Sequence, residues 1–172
     1  MILSAFTFFH VVLSLVGIVS GFVVVYGLLT SKRMDGWTAL FLTTTVATSV
    51  TGFLFPVHHF LPSHGVGIVS LIVLAFAVLA RYRYGLAGGW RRTYAITAVV
   101  GLYLNFFVLI AQLFMKVPSL KELAPTQSEP PFQITQLVAL AIFTVLAVRA
   151  AMKFHIGSAL PPAARTVASG RG

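Results

Sequence analysis

The chain of 172 residues contains no cysteine and only three acidic side chains, and charged residues make up just 9% of it. The absence of cysteine excludes disulfides, thiolate metal sites, covalent c-type haem and cysteine redox chemistry. Since 58% of the side chains are hydrophobic, the polar surface is too small to cover a soluble core. The composition therefore predicts an integral membrane protein.

Motifs for enzymatic chemistry are also missing. The sequence has no Gly-rich phosphate loop, nucleophile elbow, carboxylate pair or retinal-type lysine in mid-helix. Hydrolytic and nucleotide chemistry therefore have no support, no catalytic residue is predicted, and whether the protein is an enzyme stays open. The net charge of +9 does not indicate a nucleic-acid partner, because the basic residues lie between apolar runs, where they determine membrane topology.

Five apolar windows are each long enough for a transmembrane helix, which needs roughly 20 residues. Backbone groups inside a bilayer must pair within their own segment, so helices are expected throughout. The predicted spans are residues 4–29, 37–56, 64–84, 93–115 and 132–152. The sequence thus predicts an all-α integral membrane bundle of five helices over residues 1–154, followed by a disordered tail over residues 155–172.

Basic residues are distributed unequally between the two ends of this bundle. Lys116 and Lys121 lie at one end, and all the other lysines and arginines lie at the opposite end. That larger group consists of Lys32, Arg33, Arg81, Arg83, Arg91, Arg92, Arg149, Lys153, Arg165 and Arg171. By the positive-inside rule the larger group is cytoplasmic, so we expect the N-terminus outside and the C-terminus inside.

Histidines and amides are concentrated in the outer half of the predicted spans. At 1.5 Å per residue, His10, Gln112 and Gln136 lie roughly 9–10 Å above the bilayer midplane, and Asn105 lies near it. The stretch VHHFLPSH at the outer interface adds His58, His59 and His64. The cytoplasmic half is almost purely apolar or small. This one-sided polarity predicts a pocket that opens towards the periplasm.

Small and polar residues at helical spacing predict the faces that pack inside the bundle. In the first span this face consists of His10, Ser14, Gly17 and Gly21. In the fourth span it consists of Ala98, Gly101, Asn105 and Gln112. In the fifth span it consists of Gln133, Gln136, Thr144, Ala147 and Ala151. We expect the hydroxyl-rich second span at the centre of the bundle.

An ionisable side chain on a packing face within the membrane is a candidate for function, and His10 is such a residue. A b-type haem would be held by His10 with His64 or His59. The predicted cofactor-binding set is His10, His59, His64, Asn105, Gln112 and Gln136. In the alternative interpretation the amides only join helices, with hydrogen bonds worth roughly 0.6–2 kcal/mol each. The outer histidines are then simply polar residues at the membrane–water interface.

A copper, zinc or iron ion is the other cofactor that the sequence allows. It would be bound by His10 with two of the outer histidines and an oxygen of Glu129 or Glu122. The predicted metal set is His10, His58, His59, His64 and Glu129. The spacing of these residues matches no ligand motif, and the leading hypothesis remains haem or metal binding for redox chemistry or metal handling.

Two other functions stay open on the sequence alone. The protein could be an accessory or assembly subunit of a larger membrane complex, or a homo-oligomer, without chemistry of its own. It could also be a small channel or transporter, although no acidic residue lies inside a span. The outer connection of residues 116–131 is either a lid over the bundle or a spacer, and the capping-box spacing of Ser119 and Glu122 predicts a short helix in it.

Two segments of the chain resemble known bacterial proteins. They are LYLNFFVLIAQLFMKVPSLKELAPTQSEPPF, residues 102–132, and GFLFPVHHFLPSHGVGIVSL, residues 52–71. Both look similar to small uncharacterised polytopic membrane proteins of bacteria. The resemblance implies a location in the bacterial inner membrane, and it implies no activity or functional residue.

Overall fold

The computed structural model describes residues 2–55 and 62–155. In this part of the chain 84% of the residues are helical and none forms a strand. The helices are α1 (Ile2–Leu29), α2 (Asp35–Gly52), α3 (Pro62–Val78, continued by a π-helical turn Leu79–Arg83), α4 (Trp90–Lys116), α5 (Pro118–Leu123) and α6 (Pro130–Lys153). The all-α prediction is confirmed for this part of the chain, while the tail after His155 lies outside the described residues.

Four helices are long and apolar enough to cross a membrane. These segments are Ser4–Leu29, His64–Arg83, Trp90–Lys116 and Pro130–Lys153. By length and composition they make the chain a multi-pass helical membrane protein. Helix α2 is not among them, because its 18 residues include Asp35 and a run of threonines that lower its hydropathy.

Helix α4 lies at the centre of the bundle, and it packs against α1, α3, α5 and α6. The prediction that the second span is central is wrong, since α2 packs mainly against α1 and α3. Aromatic and small residues decide the outcome: Tyr94, Ala98, Val99, Leu102 and Asn105 of α4 are all buried. The hydroxyls of α2 instead bond largely to carbonyls of their own helix, so they need no central position.

The helices alternate in direction, so the bundle has two distinct ends. One end, called the histidine end here, holds the start of α1 and α3 and the end of α2 and α4. The opposite end, called the arginine end, holds the π-helical turn of α3 and the end of α6. At the arginine end the hydroxyl of Ser31 donates to the carbonyl of Lys153 at 2.5 Å, which ties the end of α1 to the end of α6.

Arg81 is the buried charge of the arginine end. Its side chain is 3% exposed, and its guanidinium forms an ion pair with Asp35, which is 67% exposed and also lies 3.4 Å from Arg33. The guanidinium lies 5.3 Å from the centre of the Tyr94 ring, whose hydroxyl is 3.1 Å from that of Thr38. The π-helical turn turns Arg81 into the bundle, so this arginine joins α2, α3 and α4.

The glycine face predicted for α1 is confirmed by its packing. A methyl group on Gly17 would come within 3.0 Å of Thr45 Oγ1, and one on Gly21 would come within 2.6 Å of Leu102 Cδ1. Close approach of α1 to α2 and α4 therefore depends on both glycines.

The face predicted for α6 is only partly correct. Gln136 is buried, but Gln133 and Thr144 are exposed, and the packed face is formed by Ala139, Phe143 and Ala150 with Gln136. The polar residues on which the prediction relied are satisfied locally, since Thr144 donates to the carbonyl of Leu140 in its own helix. Apolar volume, rather than polarity, decides which side of α6 packs inward.

The outer connection forms the predicted short helix, α5, but with a different start. Val117 is the N-cap residue of α5 and Pro118 is its first helical residue, and no side chain caps the helix. The capping box of Ser119 and Glu122 is therefore absent. The connection packs on α4 at the side facing α6, where the Gln127 amide donates to the carbonyl of Ala111 at 2.8 Å.

Candidate functional site

A cavity of about 440 Å³ lies between α1, α2, α3 and α4 at the histidine end. Four of the residues predicted from the sequence lie on its wall: His10, His64, Asn105 and Gln112. Hydroxyls are contributed by Ser14, Thr48, Ser49 and Ser70. The apolar wall is formed chiefly by Val11, Leu15, Leu104, Val108, Leu109 and Leu113. The volume falls in the range of small-molecule pockets, roughly 300–1,000 Å³.

His10 is held in one orientation by α2. Its Nδ1 lies 2.9 Å from Thr51 Oγ1, and the Thr51 hydroxyl donates its single hydrogen to the carbonyl of Ala47 at 2.7 Å. Towards His10 that hydroxyl can therefore only accept, so Nδ1 carries the ring proton of the neutral imidazole. Nε2 keeps its lone pair, and it is the ring nitrogen left for a ligand in the cavity.

Two aromatic rings that follow α2 complete the histidine side of the cavity. Phe55 meets the His10 imidazole edge-on, with 5.1 Å between ring centres. Phe53 stacks on His64 at 5.5 Å, and its ring fits over Gly67, where a methyl group would approach it to 3.0 Å. His64 is buried, so both imidazoles are positioned by packing.

The lower part of the cavity is lined by a polar layer. The Ser14 hydroxyl donates to Asn105 Oδ1 at 2.9 Å, and Asn105 Nδ2 donates back to the carbonyl of Ser14 at 3.3 Å. On the other side the hydroxyl of Ser49 donates to that of Ser70 at 3.2 Å. These bonds connect α1 with α4 and α2 with α3, which is the helix-joining role expected of polar groups in a bilayer.

An apolar layer closes the cavity one turn below these polar residues. Phe41 is 1% exposed, and Leu74 and Leu102 are 0% exposed. They fill the space left by glycines, since a methyl group on Gly101 would come within 3.0 Å of Leu74 Cδ2. This layer, called the plug here, separates the cavity from the arginine end within the described part of the chain.

Other predicted residues are not brought to the cavity. Gln136 packs against α4, where its Nε2 donates to the carbonyl of Phe107 at 3.2 Å, while its Oε1 is buried and accepts no bond in the described part of the chain. Glu129 precedes α6, where it accepts hydrogen bonds from Thr126 and Ser128. His58 and His59 lie outside the described residues.

The hydrogen bonds of Glu129 also set its acidity. Slight desolvation raises the pKa of this carboxyl, but the hydrogen bonds from the Thr126 hydroxyl and from the neighbouring backbone N–H groups outweigh it and hold the pKa below its usual value. Glu129 therefore stabilises the start of α6 as an ionised carboxylate, with Pro130 and Pro131 in the first turn.

Two imidazoles and one lysine are among the polar groups on the cavity wall. Within residues 2–55 and 62–155 no group of three or more His, Cys, Asp or Glu side chains is placed to hold a metal ion. A b-type haem needs two imidazoles from different helices, and His10 of α1 and His64 of α3 are of that type. Lys116, at the end of α4 on the same wall, is a cation that could meet a propionate.

Sequence reasoning missed the contribution of α2 to the site, and of α3 it identified only His64. The hydroxyls of Thr48 and Ser49 face the cavity, and Thr51 orients His10. The signal was the threonine-rich composition of α2, but composition does not tell which of these residues line the cavity, since Thr48 and Ser49 also bond to carbonyls of their own helix. Ser70 carried no signal of its own in the apolar sequence of α3.

Taken together, the fold and the cavity define a helical multi-pass membrane protein with a blind cavity at one end of its bundle. Comparison with known protein families, with curated proteins and with solved structures finds no match for this chain. The cavity itself is therefore the feature from which a function can be inferred.

Proposed function

We propose that this protein is a five-span protein of the bacterial inner membrane that binds a small, largely apolar molecule in its periplasmic cavity. The observation that carries the proposal is His10, whose Nε2 lone pair is left free on the wall of a cavity of about 440 Å³. The His10 imidazole is oriented by a hydroxyl and an aromatic ring, and no described residue bonds its Nε2. This nitrogen is therefore suited to accept a hydrogen bond or to ligate a metal.

Contacts at both of its ends support a membrane crossing by α2. Near the histidine end Thr51 of α2 bonds His10 of α1, and at the arginine end Asp35 of α2 pairs with Arg81 of α3. Eighteen helical residues extend roughly 27 Å at 1.5 Å per residue, close to the 30 Å of a hydrocarbon core. With α2 crossing, the positive-inside rule puts the arginine end in the cytoplasm.

Reporter fusions test this topology. An alkaline phosphatase fused after residue 60 or after Lys121 should be active, because both positions are periplasmic. The same enzyme fused after Arg33, after Gly88 or at the C-terminus should be inactive. Activity after Arg33 or Gly88, or its loss after residue 60, would contradict the five-span arrangement.

Haem is a second candidate for the bound molecule, on a separate observation. His10 and His64 reach the same cavity from different helices, and both are held in place by aromatic contacts. These two residues would hold a haem there, and the haem would supply redox chemistry. The blind end of the cavity favours binding over conduction, because the plug closes it towards the arginine end.

The purified protein tests ligand binding directly. Native mass spectrometry, absorption spectra and elemental analysis would compare the wild type with His10→Ala and with His155→Ala, a control at an exposed histidine of the arginine end. The wild type should carry a bound molecule that His10→Ala releases or holds more weakly and His155→Ala retains. A Soret band with this behaviour would identify the molecule as haem.

A second pair of variants controls for effects on folding. Val108→Trp fills the cavity, whereas Val138→Trp makes the same change on α6 at a site that is 53% exposed. The bound molecule should be lost from Val108→Trp and kept by Val138→Trp. If the wild type carries no molecule, or if Val108→Trp keeps it while folded, the proposed binding function is wrong.

A further inference from the structure

The wall of the cavity is positively charged and carries no acidic group. Among the described lining residues Lys116 is the one with a permanent charge, and no described carboxylate forms an ion pair with it. The three acidic residues of the chain lie elsewhere: Asp35 at the arginine end, Glu122 on α5 and Glu129 before α6. A negatively charged group on a ligand would complement the charge of Lys116.

The cavity is also open towards the side of the bundle. Helices α1 and α4 are joined at Ser14 and Asn105, but nearer the histidine end they contact different elements of the fold. There His10 bonds to α2 through Thr51, and α4 is held from its other side by the connection to α6, where Phe114 packs on Phe132. Within the described part of the chain the Ser14–Asn105 pair holds α1 and α4 together below this opening.

Apolar side chains line this lateral opening. Val11 and Leu15 of α1 and Leu113 of α4 belong to the cavity wall, and they are 39%, 44% and 42% exposed. In a bilayer such an opening meets acyl chains rather than water. A ligand that enters here comes from the lipid phase, with its apolar part against these side chains and its charged end at the level of Lys116, the last residue of α4.

The size of the cavity limits the number of chains. About 440 Å³ fits one drug-sized molecule or one folded acyl chain, and a phospholipid with two chains would leave most of its body outside. The floor is closed by the plug of Phe41, Leu74 and Leu102, so the chain cannot pass further towards the arginine end.

We propose that the ligand is a single-chain anionic amphiphile of the fatty-acid type, which enters between α1 and α4 and pairs its carboxylate with Lys116. The inference rests on the proposed binding function, and it adds charge, chain number and route of entry. Lys116 is a specificity-determining residue in this account, and His10 contacts the ligand below the carboxylate.

The charge inference is tested by comparing two ligands of equal chain length. Palmitate and 1-hexadecanol would be titrated into the wild-type protein in a non-ionic detergent, with binding followed by native mass spectrometry at neutral pH. An exposed ion pair contributes roughly two- to fivefold in affinity, so palmitate should bind more tightly by that factor. Lys116→Gln should abolish the preference, and Lys121→Gln, an exposed lysine of α5, should retain it.

Further measurements distinguish a failure of this inference from a failure of the proposed binding function. Equal binding of acid and alcohol that Val108→Trp abolishes would overturn the charge assignment and leave the binding function intact. Tighter binding of the two-chain lipid phosphatidylglycerol, also abolished by Val108→Trp, would overturn the single-chain assignment. A second cavity-filling variant, Ser70→Leu, completes the set. If both compounds bind and neither Val108→Trp nor Ser70→Leu reduces their binding, they bind outside the cavity and the inference is overturned altogether. Failure of both compounds to bind would also overturn it.

Discussion

The plug below the cavity makes Gly21 the position where a single methyl group should cost most. An alanine Cβ at this site would lie 2.6 Å from Leu102 Cδ1 and 3.0 Å from two ring carbons of Phe41. Neither neighbour has free space, because they are 0% and 1% exposed. Overpacking of this kind costs roughly 1–3 kcal/mol, which outweighs the gain in helix propensity of at most about 1 kcal/mol for Gly→Ala.

Gly65 provides a matched control on α3, since no atom of the described residues lies within 4 Å of the Cβ that alanine would add there. Gly65→Ala should leave stability unchanged or raise it slightly, while Gly21→Ala should lower the free energy of unfolding by roughly 1–2 kcal/mol. Unfolding by sodium dodecyl sulfate in mixed micelles, followed by circular dichroism, measures both. Equal stability of the two variants would refute the packing of the plug.

A compensating change tests the same contact from the other side. Leu102→Val removes the methyl group that Gly21→Ala would strike, so the double variant should lose less stability than the sum of the two single variants. Contacting residues show coupling of roughly 0.5–3 kcal/mol, and we expect about 1 kcal/mol here. Strict additivity of the two changes would mean that these residues do not touch.

Four further substitutions test three other parts of the bundle. Asn105→Leu and Ser14→Ala should each destabilise the protein by roughly 0.6–2 kcal/mol, with a coupling energy in the double variant that full additivity would contradict. Asp35→Asn leaves the buried guanidinium of Arg81 without its ion pair and should lower the unfolding midpoint in mixed micelles, whereas an unchanged midpoint would mean that the pair contributes nothing. Because hydrogen bonds depress the pKa of Glu129, its ionised form stabilises the fold above the unfolded pKa of about 4.3, and this contribution is lost as the pH falls through the lower folded value. Thermal unfolding between pH 2 and pH 6 should therefore show a loss of stability on acidification that is smaller in Glu129→Gln, and identical profiles would contradict the carboxylate's role.

The positions of the helices could be predicted closely from the sequence because a bilayer requires long apolar segments. The window of residues 93–115 corresponds to α4, Trp90–Lys116, and the window of residues 132–152 corresponds to α6, Pro130–Lys153. Neighbours in space were harder to predict. From the sequence, Arg81 is expected to be one more surface cation. A π-helical turn buries it instead, and no local sequence pattern predicts that turn.

The candidate site was predictable to the extent that it depends on position along a helix. Helical rise alone put His10 and Gln112 in the outer half of their spans and Asn105 near the midplane, and these three residues line the cavity. It also put Gln136 at the same height, and that residue packs away from the cavity. The height of a side chain in the bundle follows from its residue number. The direction in which it points depends on which neighbouring helix offers the better fit for apolar volume.

The sequence by itself determined that the chain is a helical membrane protein, which end carries the arginines and at what height the polar residues lie. These properties follow from composition, charge and the fixed rise of a helix. Only the tertiary structure decided that α4 is central, that Thr51 fixes the tautomer of His10, and that Phe41, Leu74 and Leu102 close the cavity below. Each of these depends on contacts between residues far apart in the chain, because packing in a bilayer is set by the shapes of the facing side chains and not by the hydropathy of any one segment.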